Sequence, residues 1–86
     1  MQIDFTSNFL KKAKKLTKKE KLILSTKIEI FRKDPYSPSL KTHPLKGKLE
    51  GMYSFSINYS IRATFVFVEK NKILFINVGT HGEVYK

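Results

Sequence analysis

The stretch Tyr53-Ser54-Phe55-Ser56-Ile57-Asn58-Tyr59-Ser60-Ile61-Arg62-Ala63-Thr64-Phe65-Val66-Phe67-Val68 decides the fold. Tyr53, Phe55 and Ile57 alternate with Ser54, Ser56 and Asn58, the period of a half-buried strand with one apolar and one small polar face. Asn58-Tyr59-Ser60 supplies a turn. From Ile61 to Val68 the alternation returns, with Ile61, Ala63, Phe65 and Phe67 on one face and Arg62 and Thr64 on the other. Lys70-Asn71 closes a hairpin into Ile73 to Val78, which is apolar at nearly every position and therefore central or covered.

Upstream the period changes. Gln2-Ile3-Asp4-Phe5 alternates and reads as a short first strand. Thr6 or Ser7 can cap a helix whose Phe9, Leu10, Ala13 and Leu16 fall on one side. Thr17-Lys18-Lys19-Glu20 is a capping-box pattern that opens a second helix. Leu22, Ile23, Leu24, Ile28, Ile30 and Phe31 carry that helix to about Lys33, where Asp34-Pro35 stops it. Pro35 to Glu50 holds three prolines and one glycine and is expected to be a connecting loop. The expected architecture is a single α+β domain over residues 1–86, in the order β-α-α-β-β-β. The two helices form an antiparallel hairpin against one sheet face and leave the other open. Ser54, Ser56, Asn58, Arg62 and Thr64 belong to that open face by parity, joined by Asn77, Gly79 and His81.

The chain has 86 residues and a formal charge of +10, with no cysteine and two histidines. Its N-terminus has no basic segment followed by an apolar run, so no signal peptide is expected, and no stretch is apolar enough for a membrane span. Lack of cysteine suits a reducing cytoplasm. Between Lys11 and Lys33 lie nine lysines and Arg32 against only Glu20 and Glu29. A lysine face so poor in acids favours a polyanion or an acidic protein as partner over mere solvation.

Arg62 interrupts an apolar strand in a chain that otherwise prefers lysine. Its planar fork can take two phosphate oxygens, although an ion pair with Glu50 or Glu69 would explain it too. His81 and Tyr85 close the chain in Gly79-Thr80-His81-Gly82-Glu83-Val84-Tyr85. An exposed loop histidine and a ring packed on the sheet are the plain alternatives. His43 precedes Pro44, where turn capping competes with catalysis. No third His or Cys is available to complete a metal site, so no metal or cofactor is expected. RNA cleavage needs neither: the ribose 2′-oxygen attacks its own phosphate when a base, a cation and an acid are in place.

Taken in order, His43-Pro44-Leu45-Lys46-Gly47, Gly51, the strand carrying Arg62, and Ile76-Asn77-Val78-Gly79-Thr80-His81-Gly82-Glu83-Val84-Tyr85 resemble the RelE/ParE toxin superfamily of type II toxin–antitoxin systems. The resemblance spans nearly the whole chain. It implies a microbial-RNase-type fold and, for the RelE-like branch, a ribosome-dependent mRNA endonuclease that uses no metal. By that analogy Arg62 steadies the phosphate, Tyr85 is the C-terminal aromatic, and His81 and His43 match the near-terminal and loop histidines of YafQ-like members. Lys11, Lys12, Lys14, Lys15, Lys18, Lys19, Lys46 and Lys48 would face RNA or the ribosome. An acidic antitoxin would complete a hetero-oligomer. The pattern departs at Ser56, Ser60 and Ile61, where a histidine, an aspartate and a tryptophan are expected. A ParE-like gyrase inhibitor without nuclease activity is the alternative. A basic nucleic-acid-binding module without chemistry fits least, for want of an exposed aromatic platform.

Overall fold

The computed structural model describes residues 1–85. Five strands form one sheet in the order β1-β5-β4-β3-β2: β1 (Gln2–Phe5), β2 (His43–Pro44), β3 (Tyr53–Ser56), β4 (Ile61–Glu69) and β5 (Lys72–Thr80). β1 runs parallel to β5, and every other pair is antiparallel. Helices α1 (Ser7–Lys14) and α2 (Lys18–Lys33) follow β1, and a third, α3 (His81–Val84), closes the chain. None of the described helices is long and apolar enough to cross a membrane.

The helix boundaries follow their caps. Thr6 caps α1 by accepting from the Phe9 amide at 3.0 Å. Thr17 and Glu20 form the reciprocal box that starts α2, at 3.1 and 2.8 Å. At the far end Asp34 leaves the helical region, as the following proline demands. The stripe that α2 buries runs through Leu24 and Phe31, with Ile28 half-buried. Leu22 is exposed. It stands two residues from Leu24, about 200° around a 3.6-residue turn, and so points away from the sheet.

The core is largely aromatic. Phe31 of α2 sits edge-on to Phe65 at 4.8 Å between ring centroids and lies 5.4 Å from both Phe55 and Phe75. Phe9 of α1 completes the cluster 5.5 Å from Phe75.

Two expectations are corrected. The segment from Pro35 to Glu50 is more than a connector: its Leu40 is fully buried in the core, and the Leu40 carbonyl accepts from the Ser56 amide at 2.8 Å. That bond lays the segment along β3 and leads into β2, a fifth strand that proline-rich composition concealed. The second correction concerns the open face. Ser54 and Thr64 are fully buried, and α3 packs over their row with Val84 facing inward.

A bulge in β5 sets which residues share that row. Thr64 pairs with Asn77 whereas Phe65 pairs with Phe75, so Ile76 is an extra residue. Its carbonyl is held from α1's start by Thr6 Oγ1 at 2.9 Å and Asn8 Nδ2 at 3.1 Å. Beyond the bulge Arg62 lies opposite Gly79, as parity from β4 requires.

Candidate functional site

His43 lies in β2 opposite Ser54. Its Nδ1 is 2.9 Å from the Lys41 carbonyl. A carbonyl can only accept, so Nδ1 carries the proton and a neutral ring presents its lone pair at Nε2. Lys41 holds that carbonyl with a φ of 55°, a left-handed conformation unusual for a residue with a side chain. Strain of this kind recurs where a backbone group must be aimed.

His81 opens α3, so it is anchored rather than loose. The Thr80 amide donates to Glu83 Oε1 at 2.8 Å, and the Tyr85 amide donates to the His81 carbonyl at 3.1 Å. The Tyr85 ring crosses back over the sheet and its hydroxyl donates to Ser54 Oγ at 2.6 Å. The His81 imidazole meets that ring edge-on, with centroids 4.4 Å apart. Tyr85 therefore packs on the sheet and positions His81.

Glu83 holds the start of this helix. Its carboxyl lies below the ordinary range, chiefly because of the backbone and side-chain hydrogen bonds at Thr80, with Lys12 and Lys15 adding favourable charge. A carboxyl that is more acidic folded than unfolded contributes stability above its ordinary value of about 4.3. That contribution is lost as pH falls through the lowered folded value. The Thr80 amide resonance should consequently shift only below the ordinary Glu range, and Glu83→Gln should abolish the shift. A Thr80 amide that titrates identically in the Gln variant would refute the link.

Gly79 is required by the same helix. A Cβ there would stand 2.8 Å from Glu83 Oε1 and 3.2 Å from Glu83 Cβ. Gly79→Ala should displace α3 and cost about 1–3 kcal/mol, an overpacking penalty measurable in urea melts. An unchanged melt together with an unchanged Thr80 amide would contradict that contact.

These elements border one cleft of about 470 Å³, lined by His43, Lys46, Lys48, His81 and Tyr85 with Leu45 and Leu49. Both histidines, the tyrosine and two of the lysines singled out in the sequence thus converge. Arg62 does not line this cleft. Its guanidinium donates to the Asn58 carbonyl at 2.7 Å and lines an adjoining groove with Lys27, Lys41 and Ser56. No ion pair joins Arg62 to Glu50 or Glu69 among the described residues. Lys41 links the two depressions, its carbonyl orienting His43 and its residue lining the groove.

Lys11, Lys14, Lys15, Lys18 and Lys19 are exposed. Lys12 is half-buried and 4.0 Å from Glu83, an acidic neighbour that the lysine-rich segment alone did not reveal. Lys12 and Lys15 also line a depression with Gly79 and Glu83, so α1's basic end adjoins the helix that carries His81.

The architecture recurs in solved structures. YafQ from E. coli strain BL21(DE3) superposes with a TM-score of 0.83 at 17% identity, over 99% of this chain and 98% of that one. The YoeB/ParE toxin from Agrobacterium tumefaciens gives 0.80 at 18% identity, over 94% and 99%. This is the RelE/ParE toxin fold. The same toxin fold appears within the E. coli DinJ-YafQ complex, at a TM-score of 0.72 and 19% identity over 99% and 98% of the two chains. No protein-family model matches the sequence, and no curated protein is recognisably similar to it. The RelE/ParE fold therefore rests on shape, and its β-α-α-β-β-β order acquires the extra β2 and α3.

Three contributors escaped the sequence. Lys41 gave no signal, because nothing in a lysine announces a left-handed backbone. Leu40 is one of three leucines between Pro35 and Glu50, and nothing local separates it from the half-buried Leu45 and Leu49. Tyr59, a turn residue by sequence, is 96% exposed and so presents an aromatic face to solvent.

Proposed function

We propose that this chain is the toxin of a toxin–antitoxin pair and acts as an endoribonuclease on mRNA, with the ribosome presenting the substrate. The observation that carries the proposal is His43, its Nδ1 tied to the Lys41 carbonyl, bordering one cleft with His81, Lys46 and Lys48. A ring fixed in that tautomer offers Nε2 as a base toward a ribose 2′-hydroxyl. The 2′-oxygen then attacks the adjacent phosphorus, and the bond from phosphorus to the 5′-oxygen breaks. His81, in its protonated form, gives the leaving oxygen its proton. The products are a 2′,3′-cyclic phosphate and a free 5′-hydroxyl. Lys46 and Lys48 offset the charge gathering on the phosphoryl oxygens, and Arg62 holds phosphate in the adjoining groove. Tyr85 keeps His81 in place.

The exposed lysines of α1 and the start of α2 supply a basic surface for ribosomal RNA and for an acidic antitoxin. The complex of a fold relative with DinJ supports a protein partner.

Primer extension on a message translated in a purified system tests the proposal. Wild-type protein should produce discrete cuts that disappear in His43→Ala and Arg62→Ala. An intact message accompanied by accumulating gyrase–DNA cleavage complexes would replace it with the gyrase reading.

A further inference from the structure

The groove beside the cleft is built differently from the cleft. Lys27, Lys41 and Arg62 line a space of about 390 Å³ with Ser56, Asn58 and Tyr59. Among the described residues it holds three cations and no carboxylate. Lys27 is steadied by donating to the Ser39 carbonyl at 3.2 Å. Arg62 is steadied by the Asn58 carbonyl, which leaves the rest of its fork free for an anion.

Tyr59 stands at the rim, at the tip of the turn between β3 and β4. That turn is locked. Asn58 Oδ1 accepts from the amides of Ser60 at 2.9 Å and Ile61 at 2.8 Å, and the Ile57 amide donates to the Ile61 carbonyl at 2.9 Å. Such bonding explains Asn58 and Ser60, both of which suit a tight turn, but gives no structural reason for an aromatic between them. A ring 96% exposed on a rigid turn contributes almost nothing to the fold. Held beside three cations, it has the two components of a single-strand nucleic-acid site: charge that tracks the backbone, and a flat face for a base.

We infer that this groove is a nucleotide subsite, in which Lys27, Lys41 and Arg62 take the phosphate next to the scissile one and Tyr59 stacks on the base of that nucleotide. The inference rests on the endonuclease reading of the cleft. It adds a determinant of where the RNA lies that is separate from the groups moving protons. Because stacking tolerates any base, the subsite fixes register and grip without imposing a sequence.

Fluorescence anisotropy with a short single-stranded RNA, carrying a 2′-deoxy nucleotide at the cut position to prevent cleavage, provides the test. Tyr59→Ala should weaken binding about tenfold, within the range for loss of one stacked base, while Tyr59→Phe should bind as wild type. Against an RNA with an abasic nucleotide at the stacked position, Tyr59→Ala and wild type should bind equally. Lys27→Gln with Lys41→Gln should flatten the dependence of affinity on salt, because fewer phosphates are neutralised. If wild type binds and cuts RNA while Tyr59→Ala matches it on every oligonucleotide, the subsite is wrong and the nuclease stands. Should wild type cut a ribosome-translated message yet not bind the free RNA, the subsite alone is wrong; should it leave that message uncut, the parent reading fails with it.

Discussion

His43→Ala is expected to slow RNA cleavage by about 10²–10⁴-fold, the usual contribution of a positioned general base. The loss should be confined to the chemical step. The His43 side chain is exposed and, among the described residues, hydrogen-bonds only to the Lys41 carbonyl, so removing it leaves the aromatic core untouched. Binding of an uncleavable 2′-deoxy substrate should change little, and the urea midpoint should stay near that of wild type. Asn in place of His43 supplies a sharper comparison, because its amide can occupy the same space and still donate to Lys41 but cannot accept a proton. It should be nearly as slow as alanine. Full activity in both variants, with activity lost in His81→Ala, would transfer the base role to His81.

Phe31→Ala is expected to cost about 3–5 kcal/mol, the range for emptying an aromatic site in a core. Phe31 has no exposed surface and contacts Phe55, Phe65 and Phe75 from three consecutive strands. Its loss opens a void on the face where the helices meet the sheet. A domain of this length has a total stability near the lower end of about 5–15 kcal/mol, so the variant should be close to unfolding in plain buffer. Leu22→Ala gives the contrast within the same helix. Leu22 is exposed, and its truncation should move stability by no more than about 0.5 kcal/mol. Equal urea midpoints for the two variants would overturn the assignment of α2's buried stripe.

Leu22 and Phe31 also show where the sequence was and was not legible. Both belong to the apolar set of α2, and composition alone cannot separate them; only the angular position around the helix does. Caps were easier, since Thr6, Thr17 and Asp34-Pro35 act through local geometry that the neighbouring residues dictate. The β2 strand was harder. His43-Pro44 owes its pairing to β3 rather than to any strand propensity of its own, and long-range pairing leaves no local trace. The site was legible in its residue types, because His43, His81, Tyr85, Lys46 and Lys48 were all singled out. It was illegible in its layout. Arg62 is drawn into its groove by the Asn58 carbonyl, while His81 reaches the cleft because α3 is held through Glu83 and Tyr85, whose bonds reach back to Thr80 and across to Ser54.

The extra residue at Ile76 works as a phase shifter. Before it, every second residue of β5 belongs to the interior: Ile73 and Phe75 are buried. After it the count is displaced by one, so Val78 turns inward and Asn77 and Gly79 fall on the side of Ser54 and Arg62. One strand thus serves two clients with different requirements, and the clamp by Thr6 and Asn8 keeps the displacement in register. Deleting that residue would exchange the two sides from position 77 onward and carry His81 with them. A one-residue insertion or deletion just behind the bulge would likewise turn Val78 out of the core while it moved Gly79 and His81. The far half of β5 thus answers to core and cleft at once, and a single residue whose side chain matters less than its presence sets which side each position serves.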